Sequence, residues 1–213
     1  MKYITDFLLT VAYLNGERTV QSATTAVRTN FVHNTLKEIY RAYPWPFAQV
    51  SLELTVASGI ASLPSTFDYQ HKLQAYFYEG DTQVLVDEVN LIDQTGYIDG
   101  DNKLWLEAQS DGTYLLRTKD SSITNIFTKF QSRAPEINAS IGTPYEDDAV
   151  VAQGVRRFIK LAQDPNADVS QDEALFQKRL TESIAAVQGS RPKRRMRKIS
   201  DANNYRIGGG YDV

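Results

Sequence analysis

The segment that limits the fold most is Tyr-Pro-Trp-Pro-Phe at residues 43–47. In it, one proline precedes the tryptophan and one follows it. Proline cannot donate a backbone hydrogen bond inside a helix, and it pushes the preceding residue toward extended geometry. A helix that arrives at Tyr43 must therefore end there. Because large aromatic side chains anchor corners of this kind, we expect Trp45 and Phe47 to be buried between a helix and a sheet.

The residues after the two prolines alternate between apolar and polar, which is the pattern of a β-strand with one buried face. The apolar positions are Val50, Leu52, Leu54 and Val56. A run of small residues at 57–62 then predicts a turn. The Leu63-Pro64 pair closes this first unit of the predicted sheet.

Apolar residues recur at helical spacing before the prolines, and this stripe predicts a helix over about residues 19–42. The stripe consists of Val20, Val27, Phe31, Val32, Leu36, Ile39, Tyr40 and Tyr43. The first sixteen residues contain a short apolar stretch that Asp6 interrupts, and no small-residue cleavage pattern follows it. We interpret this stretch as a core helix or strand and not as a signal peptide.

Helical signals return in the last third of the chain. Thr143 and Glu146 have the spacing of a capping box, and Pro144 would occupy the first helical position. Ser170 and Glu173 repeat that spacing ahead of a second apolar stripe. Two helices are therefore predicted, the second of which ends at a glycine.

Residues 49–133 are rich in aromatic and β-branched side chains, and turn signals divide them into short runs. The Asp111-Gly112 pair lies between two of these runs and predicts a two-residue hairpin. Six or so short strands joined by tight turns form a small antiparallel sandwich or barrel. We therefore expect a compact β unit in the middle of the chain.

The predicted fold class is α+β. Residues 1–47 and 143–189 form a helical domain, built from the N-terminal helix and two C-terminal helices. Residues 48–142 form an antiparallel β domain inserted into it. Residues 190–213 follow neither the helical nor the strand period and are expected to be disordered when alone in water.

The charge of the chain is unevenly distributed. Residues 188–213 contain seven Lys/Arg and two Asp/Glu, a net charge of +5, whereas residues 1–187 contain 16 and 24, a net charge of −8. An acidic body with a basic tail indicates surfaces that face different partners. The absence of cysteine excludes disulfides and thiolate chemistry. No apolar run reaches the roughly 18 residues of a membrane span, so no membrane partner is predicted.

The sequence contains no recognisable catalytic, metal-binding or cofactor-binding motif, and we predict neither an enzyme nor a cofactor. Its two histidines, His33 and His71, stand apart from each other and from any nucleophile motif. We interpret both as structural imidazoles. Several strand aromatics could form a sugar-binding platform, although aromatics in strands more often belong to the core. They are Trp105, Tyr76, Phe77, Tyr78, Tyr114 and Phe127.

A helix that ends in W-x-F, a strand, a short turn and then L-P-x-x-F-D resembles the head-to-tail adaptor (connector, or head completion) proteins of tailed bacteriophages. The residues that carry the resemblance are Trp45, Phe47, Pro64 and Phe67, and we assign them to the structural junction. The resemblance implies a ring, expected to be a dodecamer, that docks beneath the portal protein. Such a ring connects the capsid to a tail nozzle, tube or stopper protein, and genomic DNA passes through it without specific binding.

The resemblance also implies that residues 190–213 form an extended arm that binds the portal. Its charged and apolar side chains would contact the partner together. The predicted contacts are Arg191, Arg194, Arg195, Arg197, Lys198, Ile199, Tyr205, Ile207 and Tyr211. By this interpretation the protein resides in the virion, at the head–tail interface, after assembly in the host cytoplasm.

Two other functions stay open from the residues alone. A DNA-binding or packaging-associated protein would use the basic tail on phosphates, and its affinity would fall steeply with salt. A carbohydrate-binding or cell-wall-degrading module would use the β domain, which requires that Trp105 and Tyr114 be exposed.

Overall fold

The computed structural model describes residues 1–86, residue 89 and residues 104–190. For Ser190 it describes the backbone only. These residues form four α-helices, one short 3-10 helix and seven strands, which confirms the α+β fold class. The helices are α1 (Ile4–Leu14), α2 (Ser22–Ala42), α3 (Asp148–Gln163) and α4 (Ser170–Ser190). The strands are β1 (Gln49–Thr55), β2 (Ile60–Ser62), β3 (Gln74–Glu79), β4 (Thr82–Val86), β5 (Leu104–Ala108), β6 (Tyr114–Thr118) and β7 (Asn125–Gln131).

Helix α3 lies at the centre of the helical part and packs against α1, α2 and α4. Val151 and Val155 of its apolar stripe are fully buried. Gly154 lies between these two residues because no side chain fits there. A Cβ atom at this position would clash with Thr35 Cγ2 and lie 3.0 Å from the ring of Phe176. The missing side chain therefore allows α2 and α4 to approach α3 closely.

The capping box predicted at Thr143 is wrong, and α3 begins at Asp148 instead. The cap is Asp147, whose carboxylate accepts a hydrogen bond from the backbone N–H of Val150 (3.3 Å). Thr143 is fully buried and has other partners, because its hydroxyl bonds the Tyr40 hydroxyl (2.9 Å). Its backbone also pairs with Lys2, so the threonine joins the N-terminus to the helical core.

The other helix limits follow the sequence more closely. Helix α2 begins at Ser22, three residues after the predicted start. Helix α4 begins at Ser170, but the capping box predicted there is wrong. Asp168 accepts the hydrogen bond of the Ser170 N–H (2.9 Å), and the Glu173 carboxylate pairs with Arg157. The predicted stop at Gly189 is wrong, because α4 continues through Ser190.

The strands form two antiparallel sheets that enclose one apolar cluster. The first sheet has the order β1-β7-β3-β4 and the second the order β2-β6-β5. Buried side chains from both sheets meet in the cluster, among them Phe77, Leu116, Ile126 and Phe130. The helices form a separate cluster, which also includes Ala48 and Ile137 from the segments next to the strands.

The turn predicted at residues 57–62 is present but ends at Ile60, where β2 begins, and the hairpin predicted at Asp111-Gly112 has a longer loop than expected. Ser58 and Gly59 both have positive φ, at 53° and 77°, so the run of small residues is a hairpin that leads into β2. The hairpin between β5 and β6 has a three-residue loop and not a two-residue one. Gln109 N–H donates to the carbonyl of Thr113 (2.9 Å), and Gly112 takes the left-handed position at φ 80°.

Trp45 lies at the helix–sheet corner and is 1% exposed, as predicted. Its indole Nε1–H donates to the Ile39 carbonyl (2.7 Å), and its ring makes an edge contact with Tyr145. The prediction for Phe47 is wrong, because 38% of this residue is exposed. Pro46 starts a 3-10 turn, and Phe47 lies on that turn with its ring stacked on Trp45 (5.5 Å).

The L-P-x-x-F-D segment inserts Phe67 into the β core, where it is 1% exposed. The ring makes edge contacts with Tyr114 (5.3 Å) and Phe130 (5.5 Å). The turn that positions it is closed by a hydrogen bond from the Phe67 N–H to the Pro64 carbonyl (2.9 Å). The two halves of the motif therefore anchor different cores, Trp45 that of the helices and Phe67 that of the sheets.

Trp45→Ala should lower the free energy of unfolding by about 3–5 kcal/mol, because it removes a fully buried aromatic ring and leaves a cavity. Trp45→Phe is the matched control. It keeps an aromatic ring but leaves the Ile39 carbonyl without its donor, and should cost about 1–3 kcal/mol. Urea unfolding followed by circular dichroism measures both losses. Equal losses for the two variants, or unchanged unfolding of Trp45→Ala, would contradict this account of the corner.

Gly154→Ala should destabilise the protein although alanine is the better helix former. The gain in helix propensity is about 1 kcal/mol, whereas overpacking a close contact costs about 1–3 kcal/mol. Gly189→Ala is the control in α4, because a Cβ there meets nothing within 4 Å and should be neutral or stabilising. Thermal unfolding compares the two, and a melting temperature raised by both substitutions would show that Gly154 is not a packing residue.

Candidate interaction site at the helix–sheet junction

The C-terminal end of α2 is capped by side chains from the β part of the chain. Gln131, at the end of β7, is 2% exposed, and its Nε2 donates to the carbonyls of Tyr40 (2.7 Å) and Tyr43 (3.0 Å). His71 Nε2–H donates to the same Tyr40 carbonyl (3.1 Å). The last carbonyls of a helix have no intrahelical partner, so these donors satisfy groups that would otherwise be buried without a bond. The cap fixes the angle between helix and sheet.

The chain that leaves β7 strengthens this connection through its backbone. Ser132 N–H donates to the Ala48 carbonyl (2.8 Å), and Arg133 N–H donates to the Thr66 carbonyl (2.7 Å). Further along, His33 Nε2–H donates to the carbonyl of Ile137 (2.8 Å) and holds the returning chain against α2. Both histidines therefore bond backbone carbonyls, as the structural interpretation predicted.

A groove of about 970 Å³ opens at this junction, and both parts of the chain line it. Lys37 and Arg41 project from α2 on one side, and Tyr69 and Arg133 come from the β part. Phe47, which is 38% exposed, also lines the groove. We call this feature the junction groove. Its size is at the upper end of the range of about 300–1,000 Å³ found for ligand sites.

The lining of the junction groove is more basic than acidic. Among the described residues, none forms an ion pair with Lys37, Arg41 or Arg133, and all three are exposed. Two carboxylates also line the groove. Asp68 is 5% exposed and accepts a hydrogen bond from the Gln70 N–H (3.1 Å). Glu136 is the exposed carboxylate.

A second surface lies on the outer face of the first sheet. Tyr76 is directly opposite Phe127 on one neighbouring strand and Leu85 on the other, and Tyr78 follows on the same face. Tyr78 is 50% exposed and Leu85 is 64% exposed. We call these four residues the outer-sheet cluster. Alternation in β3 places Phe77 in the core, so the strand carries aromatic residues on both faces.

The outer-sheet cluster does not present a flat sugar-binding platform. The rings of Tyr76 and Phe127 stack on each other at 4.8 Å with an interplanar angle of 6°, so their faces meet and are not both free. The carbohydrate hypothesis also required that Trp105 be exposed, but Trp105 is buried and Tyr114 is half-buried. The required exposure is therefore absent, and the ring edges of the cluster suit contact with protein.

An ion network centred on the buried Arg157 joins three helices. The Arg157 guanidinium pairs with Glu38 of α2 and Glu173 of α4, and it lies over the rings of Phe158 (4.7 Å) and Phe176 (4.6 Å). Burial lowers the pKa of Arg157, but the two carboxylates outweigh it and raise that pKa overall. Burial likewise acts to raise the pKa of Glu173, and hydrogen bonds from Gln177 and Arg157 reverse the effect. The network is structural, because all its charges are paired within the helical part.

The described residues contain no cluster of three or more His, Asp or Glu side chains that could hold a metal ion. No helix within residues 1–86 and 104–190 has the length and apolarity needed to cross a membrane. The predicted arm contacts lie outside the described residues. They are Arg191, Arg194, Arg195, Arg197, Lys198, Ile199, Tyr205, Ile207 and Tyr211.

Sequence reasoning placed Trp45, Phe47, Pro64 and Phe67 together at the junction but did not predict the groove beside them. The signal was present in part, since Tyr69 directly follows the L-P-x-x-F-D segment. Comparison of the chain with protein-family models and with curated proteins gives no match. Function must therefore be inferred from the fold, its surfaces and the motif.

Gln131→Glu should destabilise the protein in a pH-dependent way. An ionised carboxylate cannot donate to the two carbonyls, so the folded state raises the pKa of the introduced carboxyl above the unfolded value of about 4.3. The folded state tolerates the neutral acid, and the loss of stability grows as the pH rises through the raised pKa.

Gln131→Met is the control, because it removes the same two bonds without adding a titratable group. Urea unfolding of wild type and both variants at about pH 5 and about pH 8 measures the effect. The Gln131→Glu loss should be larger at the higher pH, and the Gln131→Met loss should be the same at both. A Gln131→Glu loss that does not change with pH would show that the side chain does not cap α2.

Proposed function

We propose that the chain is a structural subunit of a tailed-bacteriophage head-to-tail adaptor, which forms a ring beneath the portal and continues the DNA channel toward the tail. The proposal is supported mainly by the positions of the two sequence motifs, W-x-F and L-P-x-x-F-D, that resemble this family. Trp45 is buried in the helical core and Phe67 in the β core, and Gln131 connects the two parts. An adaptor must transmit force between head and tail, and a rigid link between its parts serves that role.

The distribution of exposed apolar residues supports assembly into a ring. Leu9 and Tyr13 of α1 are 43% and 61% exposed, and the outer-sheet cluster is exposed on the other part of the chain. A ring is built from heterologous contacts, in which one surface of a subunit meets a different surface of the next. Two separate apolar surfaces on one rigid subunit meet this requirement.

The charge distribution supports the proposed partners. The acidic body suits a channel through which DNA passes without being held, since phosphates are repelled from negative surfaces. The basic residues after 190 suit an arm that binds acidic or polar groups of the portal protein. Tail nozzle, tube or stopper proteins would bind the opposite face of the ring. The virion is then the site of function.

Removal of residues 190–213 should abolish attachment to portal-bearing heads while the remaining body stays folded. The reason is that the four helices and both sheets lie within residues 1–190, so the deletion removes the proposed arm and leaves both cores. Cosedimentation with purified heads measures attachment, and thermal unfolding of both proteins is the control. Electron microscopy of the attached full-length chain should show a closed ring, expected to be dodecameric.

Three results would contradict the proposal. If the truncated chain attached to heads as well as the full-length chain does, the arm would not be needed for attachment. Two-fold symmetric dimers on the attached heads, in place of a ring, would exclude the proposed assembly. Binding of the full-length chain to DNA, lost with the tail and weakened steeply by salt, would favour the packaging-associated alternative.

A further inference from the structure

The junction groove combines two features that protein–protein binding sites use together. Phe47 and Tyr69 are 38% and 51% exposed and line this concave surface, each with its ring stacked on an aromatic neighbour, Trp45 and Tyr114 respectively. Buried aromatic contacts contribute much of the binding energy at interfaces. Lys37, Arg41 and Arg133 line the same groove, on a body whose net charge is −8 over residues 1–187.

Interactions that stabilise the fold account for the position of only one of the three groove cations. Arg41 lies in the last turn of α2, where a positive charge interacts favourably with the helix dipole. Lys37 lies one turn earlier in α2, and Arg133 follows β7. The charges of these two residues therefore interact less favourably with the helix dipole than that of Arg41. None of the three pairs with a carboxylate of the described chain.

We propose that the junction groove binds an extended segment of a partner protein that carries acidic residues on both sides of one large apolar side chain. The apolar side chain would contact Phe47 and Tyr69, and the carboxylates would pair with Lys37, Arg41 and Arg133. This inference goes beyond the adaptor proposal and does not depend on ring formation, because one folded chain carries the whole groove.

Charge complementarity selects this occupant over two others. The basic tail of the chain itself carries +5 over residues 188–213, so three groove cations would repel it. A nucleic acid would place a phosphate on every nucleotide, and the exposed carboxylate of Glu136 opposes such a uniform negative charge. A peptide with a few separated carboxylates can meet the cations and avoid Glu136.

The test is fluorescence anisotropy of the full-length chain with a short labelled peptide that has paired glutamates on each side of one tryptophan. Three comparison probes are the same peptide with lysine for glutamate, the same peptide with alanine for tryptophan, and a labelled oligothymidylate. We expect the acidic tryptophan peptide to bind and each comparison probe to bind at least about tenfold more weakly, a difference of about 1.4 kcal/mol.

Variants of the chain assign the binding to the groove. The double variant Arg41→Glu with Arg133→Glu, and the single variant Tyr69→Ala, should each weaken binding of the acidic tryptophan peptide by about tenfold or more. Lys119→Glu with Lys178→Glu is the matched control, because it reverses two exposed cations that do not line the groove. Its affinity should be unchanged.

Several outcomes would overturn the inference. The first is that the acidic tryptophan peptide does not bind at low salt. The second is that the groove and control double variants lose the same affinity for this peptide. The third is that the lysine peptide or the oligothymidylate binds as tightly as this peptide or more tightly. Thermal unfolding of each variant shows whether the body is intact. If Tyr69→Ala fails to fold, the comparison of the two double variants decides the question alone.

Discussion

The architecture depends on how the C-terminal end of α2 is satisfied. Three carbonyls there accept hydrogen bonds from side chains that lie later in the sequence. The Ile39 carbonyl accepts from Trp45, and the Tyr40 and Tyr43 carbonyls accept from Gln131. Buried polar groups without partners are costly, so the helix end and the end of β7 must lie together. This requirement explains why the two parts of the chain meet at the end of α2.

The junction groove and the motif are consequences of the same corner. Pro44 and Pro46 end the helix and begin a 3-10 turn, which places Trp45 inside and Phe47 outside. The L-P-x-x-F-D segment returns to the corner and leaves Tyr69 exposed beside it. Residues buried in the cores and residues exposed in the junction groove are therefore neighbours in sequence.

Local pattern predicted the elements whose burial has a regular period. The second half of the stripe in α2 has this property, since Val32, Leu36 and Ile39 are fully buried, whereas Val27 of the same stripe is 51% exposed. The burial of Trp45 follows from the proline bracket. Failures came where a tertiary partner outweighed a local preference. Thr143 has capping-box spacing, but its hydroxyl bonds Tyr40, more than a hundred residues away in sequence. Leu52 lies on the apolar face of β1 yet is 37% exposed, because β1 is the edge strand of its sheet.

The surfaces could not be predicted for a related reason. The period of apolar residues in the sequence shows which side chains share one face of a strand or helix. It does not show whether another sheet or helix packs against that face. Tyr76 and Phe127 look like core residues in sequence and lie on the outer face of the sheet. Arg41 and Arg133 both line the junction groove although they are far apart in the sequence. Neither surface leaves a contiguous signal in the chain.

Native-state hydrogen exchange tests the central claim that the junction makes one cooperative body of helices and sheets. The amides to compare are those of Ile39 and Tyr40 in α2 with those of Ile126 and Phe130 in β7. If the cap couples the two parts, both sets should exchange with the same opening free energy, equal to that of global unfolding. Exchange of the β7 amides through an opening of much lower free energy, while the α2 amides stay protected, would contradict the account.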